Sequence, residues 1–413
     1  MEKKKILVIS DHALSPSGVA NQTKFLIEGL IKKGDMSFRQ LGVAISHENY
    51  ETIKVNEDFF IKPINGFGDK ALLRNIIVNE NPDAIIIFQD PRFFKYMFEM
   101  EDEIRQVCPI LWWHVWDNYP DPKFNHWMYE SVDKINCHSY LTYKIVSQNF
   151  KEKTEFIPHT LPKDIFFKME EKKINRLRSD ILKEKSDWFN VLWINRNAKR
   201  KRPGDLLISW KYFLDNLQKQ KGHKKANLIL HTDPLDKNGP NLLKLSEHLK
   251  LDGNITFSNQ SVDNDVINIL HNITDCTINI SYNEGFGLST LQSLQTGTPI
   301  IAVKTGGLTR QVKNHKTGYE YGVALNVDFK LLNGNQETFY IYEDYASNEN
   351  ISKSIMKIYN MSSKQRKKIG TKAIDYLNKN FSYDSTVSLW HNSIVEEIEK
   401  HKKNKNNLVF KEI

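Results

Sequence analysis

Nine short apolar runs recur along the chain, at 6–9, 84–88, 110–113, 155–157, 191–194, 227–230, 255–257, 277–280 and 300–303, with amphipathic stretches between them. Runs this short and this continuous suit strands buried on both faces, as in a parallel sheet covered by helices. Parallel neighbours need crossover connections, and the intervening helical patterns supply them. Nine strands are too many for one doubly wound sheet of usual width. The predicted fold is therefore α/β, with two Rossmann-like, doubly wound parallel-sheet domains. A length of 413 residues with 40% hydrophobic content can fill two such cores.

The charged stretch 168–185, with Ile174, Leu177 and Ile181 at helical spacing, separates the halves. The predicted domains are 1–165 and 186–379. A last helix is expected over 380–400 (Val387, Trp390, Ile394, Ile398), and 401–413, with its Asn/Lys-rich run 402–407, reads as a flexible tail. The three cysteines, Cys108, Cys137 and Cys276, are odd in number and set in apolar surroundings, so they read as buried thiols in a reducing compartment. The start of the chain has only four consecutive apolar residues after its lysines, too few for a signal segment. Nowhere do about 18 apolar residues run together, so no spanning helix is expected. The expected location is cytoplasmic. The net charge of +8 is spread over several lysine-rich clusters, which suit anionic partners or simply solvated faces.

One connection carries more chemistry than the rest. The run 277–280 leads into Ser281-Tyr-Asn-Glu-Gly-Phe-Gly-Leu-Ser-Thr-Leu-Gln292, closed by Gly297-Thr-Pro299. A strand ends, a small flexible loop holding Glu284 follows, and a helix starts near Phe286 or Gly287. Gly297 supplies its C-cap, and Pro299 turns the chain into the next strand. Bare backbone N–H groups and the positive helix end can hold a phosphate there, and Glu284 can accept hydrogen bonds from sugar hydroxyls. The layout suits a sugar joined to a diphosphate.

This motif resembles the donor-site signature of retaining GT-B glycosyltransferases, in particular glycosyltransferase family 4. The resemblance implies two domains facing across a cleft, with the terminal helix packing back on the N-terminal domain. It also implies metal-independent transfer of a sugar from a nucleotide-sugar donor (UDP- or GDP-sugar) to an acceptor hydroxyl with retention, and no cofactor. Glu284, Phe286, Gly287 and Leu288 match the donor pocket. The second acid of the signature, which holds the ribose hydroxyls, is Gln292 here. Arg196, at the end of the run 191–194, and Lys201 fall where the family clamps the diphosphate, where fixed cations stabilise the departing charge. Gly18, in the loop after the first strand, and the pair Gly306-Gly307 match the family's glycines. His114 falls where the family has a histidine that faces the sugar. Segment 324–347 is longer than the matching family loop.

Trp116, Asp117 and Tyr119 lie in an aromatic loop that could contact the acceptor, whereas Trp112 and Trp113 fit a hydrophobic core equally well. His159 reads as a hinge residue. Asp263-Asn-Asp265 has the form of a metal motif, but it opens an amphipathic helix and N-capping explains it. No zinc spacing occurs, and no metal requirement is predicted. The expected acceptor is a glycan or a lipid-linked saccharide. Two other readings stay open: transfer to hydroxymethylated bases of DNA, suggested by the basic clusters and aromatic loop, and a sugar-nucleotide-binding protein without activity, suggested by Gln292.

Overall fold

The computed structural model describes residues 2–44 and 49–406. It divides into two compact units, one of Met1–Thr160, Asn335–Phe339 and Tyr383–Ile413, the other of Leu161–Gly334 and Tyr340–Ser382.

The first unit is built on β1 (Lys4–Asp11), β2 (Met36–Val43), β3 (Ile53–Asn56), β4 (Phe59–Pro63), β5 (Ala84–Phe88), β6 (Ile110–His114), β7 (Lys134–Cys137) and β8 (Thr154–Phe156). Their order is β3-β4-β2-β1-β5-β6-β7-β8, parallel except for the antiparallel pair β3/β4. The chain winds outward from β1 to one edge, then returns to β5 and winds to the other. The ends of β1 and β5 therefore form a switch point, the place where such sheets open a crevice. Apolar clusters cover both faces of the sheet. One of them takes in Val387, Trp390, Ile394 and Ile398 from the last helix, Tyr383–Asn406. Polar bonds fix that helix: Asn136 Nδ2 donates to Ser393 Oγ at 3.0 Å, and His391 Nε2 lies 2.9 Å from Asp35.

The second unit holds β9 (Phe189–Ile194), β10 (Ala226–His231), β11 (Ile255–Ser258), β12 (Cys276–Asn279), β13 (Ile300–Val303) and β14 (Gly322–Leu325), ordered β11-β10-β9-β12-β13-β14 and parallel throughout. Its switch point lies between β9 and β12. The long segment 324–347 contains a separate antiparallel hairpin, β15 (Phe329–Asn333) with β16 (Ile341–Tyr345).

All nine apolar runs became strands. Seven further strands, β2–β4, β7 and β14–β16, lie outside those runs; β2 and β7 among them carry polar side chains inward. In β7, Lys134 is paired with Glu155 at 3.2 Å and Asn136 with Ser393, so burial costs little. Two expectations need correction. Asp263 occupies an N-cap position but makes no side-chain cap bond. The tail expected from residue 401 continues the last helix as far as Asn406, and 407–413 lie outside the described residues. The three cysteine thiols are free and buried. Among the described residues, no helix is long and apolar enough to cross a membrane.

Candidate active site

In the second unit, the loops after β9 and β12 flank the switch point. The loop after β9 forms a 3-10 turn over Lys199–Lys201, and Arg202 then enters the left-handed region at φ 56° before the helix Pro203–Lys221. This turn decides which side of a four-residue basic run faces the protein. Lys199 and Arg200 are exposed, and Lys201 and Arg202 are buried.

Lys201 Nζ is ion-paired to Glu284 in the loop after β12. Arg200 Nη1 reaches the same carboxylate at 3.5 Å and donates to the Asn283 carbonyl at 2.9 Å. Burial would raise the Glu284 carboxyl, but the charges of Lys201 and Arg200, with hydrogen bonds from Lys201 and Ser281, hold it below its ordinary range. Glu284 is thus a buried, ionised acceptor. Arg196 stands apart: it is largely exposed, and its Nε donates to Asp236 at 2.6 Å.

Glu284 is followed by the helix Leu288–Thr296, whose N-cap is Gly287 at φ 87°, with no side-chain cap and no acid in its first turn. Its first turn therefore supplies no carboxylate to the positive end. The Gly306–Leu308 turn follows β13, and Gly307 N donates to the Glu284 carbonyl at 2.9 Å. A Cβ on Gly307 would stand 2.5 Å from the Phe286 Cα, so only glycine lets these backbones touch. Phe286 is buried, Leu288 partly so. Gln292 is half-buried on the same helix, with Oε1 3.3 Å from His271 Nε2. His271 is fully buried, and burial lowers it to about 4, so the ring is neutral. The second unit therefore brings together Lys201, Glu284, Gly287 and Gly307, with Gly306 and Gln292 on adjoining elements.

The other expected residues belong to the first unit. Gly18 opens the helix Gly18–Ile31 and is exposed, with Ser17 as the N-cap accepting from Ala20 N. His114 ends β6 but points inward: the residue is 1% exposed, and its ring lies tilted 4.1 Å from that of Trp112 and 2.9 Å from the Tyr129 hydroxyl. Burial, with His138 nearby, holds it well below 6.5 and neutral. Trp112 and Trp113 are core residues. Trp116 is also buried, its Nε1 donating to the Pro120 carbonyl, while Asp117 and Tyr119 are half-exposed on the same loop. His159 is buried and stacks on His138 at 4.0 Å.

The sequence reading passed over Arg200, His271 and Asp11. Arg200 lay hidden in a basic run, and only the 3-10 turn aims it. His271 reads as an ordinary helix residue, since Gln292 comes beside it only through packing. Asp11 ends β1 and accepts from Ser17 Oγ at 2.6 Å and from Gln89, just after β5, so it ties together the first unit's switch point.

Residues 179–328 match the sequence profile described as "Glycosyl transferases group 1". No curated protein matches the chain significantly. Solved structures of similar fold include a glycosyltransferase from Rickettsia africae ESF-5 (18% identity, TM-score 0.70, covering 98% of this chain and 100% of that one). Sucrose-phosphate synthase from Thermosynechococcus elongatus is also similar, at 14% identity and TM-score 0.73, with 96% and 100% covered. Anabaena Alr3699/HepE in complex with UDP and glucose aligns at 13% identity and TM-score 0.68, with 95% and 100% covered. The profile match falls within the second unit, and over nearly the whole chain the fold is that of GT-B glycosyltransferase structures.

Proposed function

We propose that the protein transfers a glycosyl group from a UDP-sugar to a hydroxyl of a glycan or lipid-linked saccharide, with retention of configuration and without a metal. The observation that carries this reading is the ionised, buried Glu284 held by Lys201 and Arg200 beside an uncapped helix end. Two cations and a helix N-terminus around one carboxylate leave an excess of positive charge, the complement of a diphosphate. Lys201 has three donors and can keep Glu284 while giving another to a phosphate oxygen. Arg196 sits on the same loop and can leave Asp236 for the ligand. As the bond from sugar C1 to the phosphate oxygen breaks, its electron pair goes to the diphosphate, and these cations stabilise the charge that develops. Glu284 accepts from a sugar hydroxyl and Gln292 bonds the ribose. The acceptor oxygen then joins C1, and its proton passes to the leaving phosphate. The choice of UDP is supported by the UDP and glucose bound in the similar HepE structure.

The test is release of nucleoside diphosphate from UDP-, GDP- and ADP-sugars, with and without hydroxymethylcytosine-containing DNA. Release from a UDP-sugar that is indifferent to DNA and rises with saccharide acceptors is the expected result. A sharp rise with DNA would move the acceptor to modified bases, and no release from any donor would favour a binding protein.

A further inference from the structure

We propose that Arg202 is a positioning residue that fixes Glu284 by clamping the loop 281–284 to the hairpin strand β16. The inference rests on the reading of Glu284 as a ligand-facing acid and adds to it the device that holds the acid in place.

Arg202 is an unlikely residue for its backbone. Its φ of 56° lies in the left-handed region that glycine enters freely and other residues seldom do. Its side chain is nonetheless buried and hydrogen-bonded through two of its nitrogens. Nε donates to Asp205 at 2.9 Å, and Nη1 donates to the Ala346 carbonyl at 3.0 Å, just past β16. The guanidinium carbon lies 5.4 Å from the Tyr282 ring centre and 5.1 Å from that of Tyr345, and the two rings are 4.5 Å apart. A buried cation beside two touching aromatic rings attracts both.

The backbone repeats the arrangement. Tyr282 N donates to the Arg200 carbonyl at 3.0 Å, and the Tyr282 carbonyl accepts from Asp344 N at 2.8 Å. Asn283 Nδ2 donates to the Tyr342 carbonyl at 3.4 Å. The loop that carries Glu284 is thus held on one side by the 199–202 turn and on the other by β16, with Arg202 bridging the two. A left-handed residue that were only a turn former would be glycine; the arginine is explained by what its side chain joins.

Hydrogen exchange of the full chain decides the clamp by itself, in Arg202→Gly and, should that variant not fold, in Tyr345→Leu. Glycine suits the left-handed backbone, so Arg202→Gly removes the side chain without adding strain. Exchange at Tyr282 and Asp344 should rise at least tenfold, with little change in β1 or β5. Unchanged exchange in the variant that folds overturns the proposal. With UDP-glucose as the probe, kcat for UDP release should fall at least tenfold while KM moves less than twofold, and Arg202→Lys should recover part of the loss. Looser exchange with unchanged kcat also overturns it. Full turnover in Glu284→Gln would instead refute the donor-site reading, an outcome separate from the clamp because exchange reports the clamp directly.

Discussion

Lys201 is ion-paired with Glu284 across the ends of two neighbouring strands, 83 residues apart in the chain, with about a tenth of each side chain exposed. Neither charge could be buried alone at small cost. Together they sit at a sheet's switch point, and their pairing explains how an ionised acid persists in a buried loop.

Removing the cation should therefore cost more than removing both groups. Lys201→Met leaves the buried carboxylate with only its longer Arg200 contact and should destabilise the second unit by about 3 kcal/mol. Adding Glu284→Gln should recover part of that loss, because the orphan charge disappears. Chemical denaturation of the two single variants and the double variant checks this. Both single variants should lose at least about a hundredfold in turnover.

Acidification should act on Glu284 in a defined direction. Its carboxyl is held below its ordinary 4.5, so the pair's contribution is complete above about pH 4.5 and is lost as pH falls through the lower folded value. In Glu284→Gln this acid-dependent part of the second unit's stability should vanish, as read from melts between pH 5 and 3.

Buried histidines add a second pH dependence, at higher pH. Burial lowers His114 and His159 well below 6.5 and His138 to about 3, and all three lie in the first unit. The unfolded chain binds protons below about pH 6.5 that these rings refuse, so stability is full above that pH and falls below it. Each histidine contributes about 1.4 kcal/mol per pH unit. Replacing His138 with Gln should make the decline between pH 6.5 and 5 shallower by about a third.

Gly307→Ala should damage the site with a single methyl group. The added Cβ would stand 2.5–2.7 Å from backbone atoms of Gly285 and Phe286, which cannot yield as a flexible side chain would. The loop behind Glu284 must shift, and with it the acid. Nucleotide-sugar turnover should fall more than tenfold while the first unit melts as before, which calorimetry can resolve.

Gln292→Glu tests the departure at the ribose position. A carboxylate there would face His271 Nε2, 3.3 Å from the present amide oxygen, and would raise the histidine from its lowered value of about 4. UDP should bind more tightly, by up to about tenfold, if the position meets two ribose hydroxyls, and titration calorimetry measures it. A large gain in turnover as well would mark the natural residue as a weakened site.

What the sequence by itself determined is set by periodicity and by local backbone chemistry. Short apolar runs can be satisfied only by strands covered on both sides, so the two parallel sheets and the loops at their ends were legible. So were the Gly297 helix stop and the uncapped helix start beside Glu284. Among the seven strands outside those runs, β2 and β7 escaped because their inward polar groups find partners only after folding. The tertiary structure alone decided which way side chains turn. The 3-10 turn at 199–201 sends Lys201 and Arg200 to Glu284 and leaves Arg196 to Asp236, although all three belong to one basic loop. Strand direction sends His114 into the first unit's interior, and helix packing sets His271 beside Gln292. A linear pattern records which residues lie near a strand end, but pairing energies between charges distant in sequence depend on distances and burial that exist only once the sheet order is formed.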